Sequence, residues 1–361
     1  MASLGPGFFL ALVSIDRIVV SARTCGQWKG IYMVSIKEVA NHAGVAISTV
    51  SKVLNGYPYI SEKTKEKVNR AIQELNYIPN SIAAALSSKQ FGRIALILDP
   101  KRQTQAIDQI CMQYLLGALD KAKELHLEVV TIFATMIAGM TPEEVVRYFQ
   151  SQSVIGVVVY GLSKEDKVLQ QLLDRQHFAC VVVDAPLVNG RTTAISVDHV
   201  QAQYDVAKKV VQEDGCRSIL YIAGRKDGYV TEQRLEGIKR LAQELDLGLL
   251  VRQGNFSELT ARNIALKYAK NKDAVVCASD LMAIGAMNAL IDMDIFRPVC
   301  GFDGIALMGY VGKQMNTVYQ DFYGISSRAL EEVKLLIDGQ AGRQVVMPHR
   351  IVKMYYKDII C

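Results

Sequence analysis

A chain of 361 residues, half of them apolar, is too long for one core and too hydrophobic to be disordered, so two or three packed domains are expected. The formal charge of +5 is uneven: residues 33–91 hold seven Lys/Arg against four Asp/Glu, residues 1–32 hold three against one, and the remainder is neutral. The basic balance therefore lies at the front, where a nucleic-acid-binding module would use it. Seven cysteines at 25, 111, 180, 216, 277, 300 and 361 form no metal spacing, and most stand in apolar strand contexts such as FACVVVD, which fits reduced thiols in a cytoplasmic protein best.

Phe8 to Ile15 is apolar but is broken by Asp16 and Arg17, which makes it too short for a membrane span and poor as a signal peptide. Met33 stands just before the patterned region. Translation is expected to begin there, leaving residues 1–32 as a non-native or disordered extension. Ile36, Val39 and Ala40 recur at helical spacing over about Ile36 to Ala43, with Ser35 and Glu38 spaced as a capping box and Gly44 where a tight turn wants no β-carbon. A second helix is expected over about Ile47 to Asn55. Val50, Val53 and Leu54 face inward and Ile47, Ser48, Ser51 and Lys52 outward, a helix that can lie in a major groove or simply complete an ordinary helical hairpin. Pro79 ends the third helix.

The words VANHAGVAISTVSKVLNG, ISEKTKEKV and ELNYIPN, covering about 55 residues in order, resemble the headpiece of the LacI/GalR (lactose-repressor) family of bacterial regulators. The resemblance implies a helix-turn-helix headpiece over 33–79 that starts, as is usual in the family, at Met33. Its base-reading positions fall on Ile47, Ser48 and Lys52, and its backbone-contact positions on Thr49, Ser51, Asn55, Tyr59, Tyr77 and Asn80. Arg is common where Lys52 stands. Lys lacks the planar fork for bidentate guanine contact, so base discrimination there is expected to be softer. Residues 80–91 are a linker by composition, since about seven helix-competent residues are too few for a stable helix in water. By resemblance they are a hinge helix that orders on DNA, with Leu86 as the leucine that wedges into the minor groove.

From Arg93, apolar runs (RIALIL, EVVTIF, VIGVVVY, FACVVVD, TAISVD, SILYIAG, AVVCAS, PVCGFD) alternate with helical patterns. That order predicts an α/β fold of parallel sheets covered on both faces, divided into two lobes. The first lobe is expected over about 92–196 plus about 322–361, the second over about 197–321. The segments GCRSILYIAG, RLEG, CASDLMAIGAMNAL and GFD resemble the periplasmic-binding-protein-like core that the family carries after the hinge.

In such sheets ligands sit beyond the carboxyl ends of the strands. The resemblance places effector contacts on Arg234, on Phe256 as the stacking aromatic, on Asp303 for ligand hydroxyls, and on Asp99, Asp184 and Ser279 as cleft-lining residues. Phe256 also reads as ordinary core. Asp280 reads as a helix N-cap and is left out. Lys101 and Arg102 read as surface charges or as contacts to an anionic ligand such as a sugar phosphate. The five histidines lie in unrelated contexts, and no catalytic motif, metal set or cofactor-binding loop is present. No heptad pattern follows MPHRIVKMYYKD, so a dimer is expected rather than a coiled-coil tetramer. The sequence thus predicts a homodimeric, cytoplasmic transcription repressor, with no membrane partner, no cofactor and no enzymatic activity. Its partners are near-palindromic operator DNA and a sugar-like effector between the lobes. The alternatives are a solute-binding protein of the same fold, or a corepressor-dependent regulator responding to a nucleobase or sugar phosphate.

Overall fold

The computed structural model describes residues 35–54, 57, 59–75, 92–99, 105–311 and 314–354, without the side chains of 105–108. The chain divides into two units, residues 1–88 and 89–361.

In the first unit, α1 (Ile36–Ala43), α2 (Ile47–Leu54) and α3 (Glu62–Glu74) close around Val39, Ala40, Val50, Val68 and Ala71. The capping box at Ser35 is complete: Glu38 N donates to Ser35 Oγ at 3.4 Å, and Ser35 N donates to Glu38 Oε2 at 2.7 Å. Gly44 ends α1 at φ 64°, a left-handed conformation that costs a glycine nothing.

The second unit holds two sheets. The first begins with β1 (Arg93–Leu98), β2 (Glu128–Phe133), β3 (Val154–Tyr160), β4 (Ala179–Val183) and β5 (Thr192–Val197). Between these strands lie α4 (Gln105–Glu124), α5 (Pro142–Ser151) and α6 (Lys167–Asp174). Alternation along β1 shows why the strand must be apolar throughout. Ile94, Leu96 and Leu98 enter one core with Tyr114 and Ala118 of α4, and Ala95 and Ile97 enter another with Val145, Phe149 and Leu172 of α5 and α6.

The chain then crosses to α7 (His199–Asp214) and builds the second sheet: β6 (Ser218–Ala223), α8 (Tyr229–Glu244), β7 (Gly248–Gln253), α9 (Glu258–Tyr268), β8 (Ala274–Cys277), α10 (Asp280–Asp292), β9 (Val299–Asp303) and β10 (Asn316–Tyr319). It returns as α11 (Phe322–Ile337), which packs on α4, β3 and β4, and as β11 (Gln344–Met347), and ends in β12 (Arg350–Lys353). The orders are β11-β5-β4-β3-β1-β2 and β12-β10-β9-β8-β6-β7. Among the described residues, every pairing between these strands is parallel except β10 with β12.

The tail departs from the expected division. Residues from 322 belong to the first lobe only as far as β11, with α11 packed on its helices and strands. Arg350 to Lys353 pair antiparallel with β10 and close the edge of the second sheet. Strands β7, β10, β11 and β12 were absent from the sequence-based set. Each is short or only half-buried, so none shows the continuous apolar run of a central strand.

Candidate functional site

In the headpiece, α2 spends Val50 on the core and leaves Ile47, Ser48 and Lys52 exposed, with Thr49 and Ser51 half-buried. Ile47 is 47% exposed at the first residue of the helix, and Tyr59 is 95% exposed; packing within the unit accounts for neither. Such a face offers apolar contact, hydroxyls and one cation to a groove and its phosphates. Asn55, Tyr77, Asn80 and Leu86 lie outside the described residues, as do Lys101 and Arg102.

The second unit contains a cavity of about 580 Å³ between its lobes. Its place follows from topology. In the first sheet the strand order reverses between β1 and β3, and in the second between β6 and β8. At such switch points the strand ends splay and leave a crevice. Both crevices open into this cavity: Leu98 ends β1 and Asp99 follows it, Tyr160 ends β3 and Gly161 follows it, Arg225 follows β6, and Ser279 follows β8. Asp184, Arg234, Phe256 and Asp303 also line it. All six residues assigned to the effector cleft by resemblance therefore share one cavity, with Asp99 and Asp184 from the first lobe and the other four from the second.

Aromatic side chains face the space from both lobes. Tyr114 and Tyr160 stack with centroids 4.4 Å apart, and Phe322 meets Tyr114 edge-on at 5.3 Å. Tyr160 Oη donates to Ser326 Oγ at 2.5 Å, which in turn donates to the Tyr114 backbone carbonyl at 2.6 Å, so the Tyr160 phenol is fixed against the helix that carries Tyr114. Phe256 lies across Gly224, where a β-carbon would stand 2.1 Å from the ring; only glycine leaves that room. Asp184, Asn255, Phe256 and Asp303 have φ of 64°, 56°, 58° and 131°, backbone conformations that cost free energy in non-glycine residues and collect at functional sites.

The polar groups form a chain through the cleft wall. His199 Nε2 lies 3.0 Å from Asp184 Oδ1, and Arg234 Nε donates to His199 Nδ1 at 3.4 Å. Arg234 also donates to the Ala278 carbonyl, stacks 3.7 Å from the Phe302 ring centroid and lies 3.8 Å from Asp303 Oδ1. Gln320 Nε2 donates to Asp303 Oδ1 at 3.1 Å. Burial raises the Asp303 carboxyl to about 8; Arg234 opposes that rise, and the Asp280 and Asp184 carboxylates add to it. Burial holds the His199 imidazole below its ordinary value and therefore neutral. Asp99, at the exposed rim, is raised by partial burial and by Asp166, against Arg225.

The sequence reading assigned the cap of α10 to Asp280; the structure assigns it to Ser279, whose Oγ accepts from Met282 N at 3.3 Å. Asp280 is the first helical residue and is fully buried. Its Oδ2 accepts from Gly304 N at 2.7 Å and Ile305 N at 2.8 Å, and its Oδ1 accepts from Thr317 Oγ1 at 2.5 Å. It thereby sets the loop that follows Asp303. His199, Arg225 and Gln320 were also missed. For His199 the one available signal was its position directly after a strand and after a capping aspartate, Asp198.

The lobes also touch across the mouth of the cleft. Lys164 N donates to the Asp227 carbonyl at 2.8 Å, Ser163 and Gly228 form an isolated bridge, and Lys164 pairs with Glu232.

A helix-turn-helix unit and a two-lobed, ligand-sized cleft in one chain define a ligand-responsive DNA-binding regulator. Residues 35–80 match the family of bacterial regulatory proteins known as the lacI family, and residues 211–353 match a periplasmic binding protein-like domain. Over residues 35–80 the chain carries the LacI-family domain. It is 29% identical over 317 residues to the transcriptional regulator RegA of Clostridium saccharobutylicum, covering 84% of this chain and 92% of that protein. It is 29% identical over 332 residues to the regulator CelR of Thermobifida fusca, covering 88% and 95%. The solved lac repressor bound to ONPG in its repressed state superposes with a TM-score of 0.74 at 25% identity, covering 89% of this chain and 98% of that one. A CelR–cellobiose complex gives 0.66 at 25% identity, covering 88% and 98%. These relatives are transcriptional regulators. Among the described residues, no helix is long and apolar enough to cross a membrane.

Proposed function

We propose that the protein is a cytoplasmic, homodimeric repressor, without enzymatic activity, whose grip on a near-palindromic operator is set by a sugar bound between its lobes. The carrying observation is the cavity of about 580 Å³ in which aromatic faces and hydroxyl-binding carboxylates converge from both lobes. Aromatic rings stack on the C–H faces of a pyranose, carboxylates accept from its hydroxyls, and a guanidinium supplies donors. Acidic side chains outnumber cations there even with Asp303 held neutral by burial: Asp99, Asp184 and Glu258 face Arg225 and Arg234, and Arg225 is paired with Asp227. A neutral polyhydroxyl ligand suits that balance better than a sugar phosphate. The complexes of the lac repressor with ONPG and of CelR with cellobiose support a sugar-like occupant.

On DNA, Ile47, Ser48 and Lys52 read base edges, Thr49, Ser51, Asn55, Tyr59, Tyr77 and Asn80 hold the backbone, and Leu86 wedges the minor groove. A ligand that touches both lobes favours one lobe arrangement, and so shifts the population of the DNA-binding state.

The test maps the genomic fragments bound by the protein, then titrates the protein with a panel (cellobiose, lactose, glucose, ribose and sugars handled by the neighbouring genes). Melting temperature and operator affinity are both followed. The expected result is one sugar that raises the melting temperature and changes operator affinity tenfold or more. Absence of specific fragments, or conversion of a panel sugar to product, overturns the proposal.

A further inference from the structure

Asp184 and Arg234 enter the cleft from different lobes, and the side chain that joins them is His199. The ring is completely enclosed, so no water competes for its nitrogens. An ionised Asp184 can only accept and the Arg234 Nε–H can only donate. A neutral imidazole carries one donor and one acceptor, so a single tautomer, with hydrogen on Nε2 and Nδ1 bare, satisfies both partners at 3.0 and 3.4 Å. The ring is also held 5.6 Å from Phe302, the residue on which Arg234 stacks at 3.7 Å.

We propose that His199 is a positioning residue of the effector site: locked in the Nε2–H tautomer, it fixes Asp184 and Arg234 at one mutual orientation across the junction of the lobes. His199 opens α7 just after the chain leaves the first sheet, and α7 packs with α8, which carries Arg234. The bond to Arg234 therefore stays within the second lobe, and the bond to Asp184 spans the lobes. Spending Asp184 Oδ1 and Arg234 Nε on the imidazole leaves Oδ2, and the guanidinium donors that the Ala278 carbonyl does not take, for a ligand, with their directions set beforehand. A protonated ring would turn a second N–H against the Arg234 donor. The charged groups facing it are Asp184, Asp198 and Arg234, with Asp303 behind Arg234. The role in ligand binding rests on the cleft being the effector site; the bridge itself does not.

The experiment uses the full chain with ¹⁵N-labelled histidine and arginine, His199 being assigned by its loss in His199→Asn. The expected spectrum shows His199 protonated at Nε2, bare at Nδ1, and titrating only below the ordinary histidine range. Asn keeps an acceptor for Arg234 and Gln keeps a donor for Asp184. The Arg234 Nε–H should therefore exchange slowly in wild type and His199→Asn and fast in His199→Gln. An Nδ1–H tautomer, ordinary titration near about 6.5, or equal Arg234 exchange in both variants overturns the bridge. With the panel sugar that raises the melting temperature, Kd should rise at least tenfold in His199→Phe and less in His199→Asn and His199→Gln. Should the Phe variant not fold, the Asn and Gln variants carry this arm. An unchanged Kd overturns the positioning role, whereas failure of every panel sugar to bind overturns the assignment of the cleft and leaves the spectroscopic result standing.

Discussion

Asp280→Ala should destabilise the protein by about 3 kcal/mol or more, while Asp280→Asn should cost about 1 kcal/mol or less. The difference follows from which oxygen does what. Oδ2 accepts from both Gly304 N and Ile305 N, and Oδ1 accepts from Thr317 Oγ1. Alanine leaves two backbone donors beside a fully buried position without an acceptor, at roughly 1–3 kcal/mol each. The Thr317 hydroxyl is spared that cost because the Val318 carbonyl lies 3.4 Å away. Asparagine can place its carbonyl where Oδ2 stands and keep both backbone bonds, while its amide donates to Thr317 Oγ1 as that hydroxyl turns to Val318. The assay is urea unfolding of the full chain at fixed protomer concentration, since dimerisation makes apparent stability depend on concentration. Equal losses in the two variants would show that the charge of Asp280, rather than its acceptor geometry, holds the loop, and would refute the reasoning.

Val50→Ala removes two methyl groups from a small headpiece core and should cost that unit about 2 kcal/mol. Amide exchange in α1 to α3 should accelerate and operator binding weaken, while the melting of the core stays put; unchanged headpiece protection would count against the packing described. Phe256→Ala should weaken sugar binding at least tenfold with little loss of stability. Gly224→Ala should act in the same direction, because its new methyl must displace the ring; normal sugar affinity in both would remove Phe256 from the site. Asp303 gives a pH dependence. Its folded value, raised to about 8 from roughly 4 when unfolded, means that its contribution to stability is complete below the lower value and disappears as pH rises through the upper one. Unfolding free energy measured from pH 5 to 8.5 should therefore fall more steeply in wild type than in Asp303→Asn, and identical slopes would refute the assignment of that shift.

Much of this architecture could be read from local pattern. The headpiece helices have caps, turns and faces encoded within eight to thirteen residues, and Ser35, Glu38 and Gly44 stand where those rules put them. Central strands such as VIGVVVY and ACVVV declare themselves because both faces are covered. Edge strands do not. Gln344–Met347 and Arg350–Lys353 are half-exposed, and only their partners decide which lobe each joins. The cleft shows the same limit. Arg234, Phe256 and Asp303 could be assigned because they stand in short recognisable words. The bond between His199 and Asp184, 15 residues apart, depends on the chain's crossing from one sheet to the other. Asp280 misled for a related reason: an aspartate at a helix start is locally a good cap, but Ser279 had already taken that role, and the donors that claim the Asp280 carboxylate come from 24 and more residues away.

The placement of these long-range contacts bears on how the protein can be switched. A ligand held by one lobe alone binds every lobe arrangement equally and shifts none of them, however tight its binding. To move a two-state equilibrium from 1:99 to 99:1 it must prefer one state by roughly 10⁴-fold, about 5.5 kcal/mol. That preference has to come from contacts made only when both lobes are in register. Asp99, Tyr160 and Asp184 on one side and Phe256, Arg234 and Asp303 on the other are the groups able to supply it. The bridge through His199 and the Lys164–Asp227 contact at the mouth tie the lobes together even with no ligand bound. Breaking the second with Lys164→Pro, which removes the donating N–H, should weaken sugar binding by the amount that preformed closure contributes. If Kd is unchanged while the Phe256 and Asp303 variants lose affinity, the ligand itself supplies all of the closure energy, and the mouth contact only marks where the lobes meet.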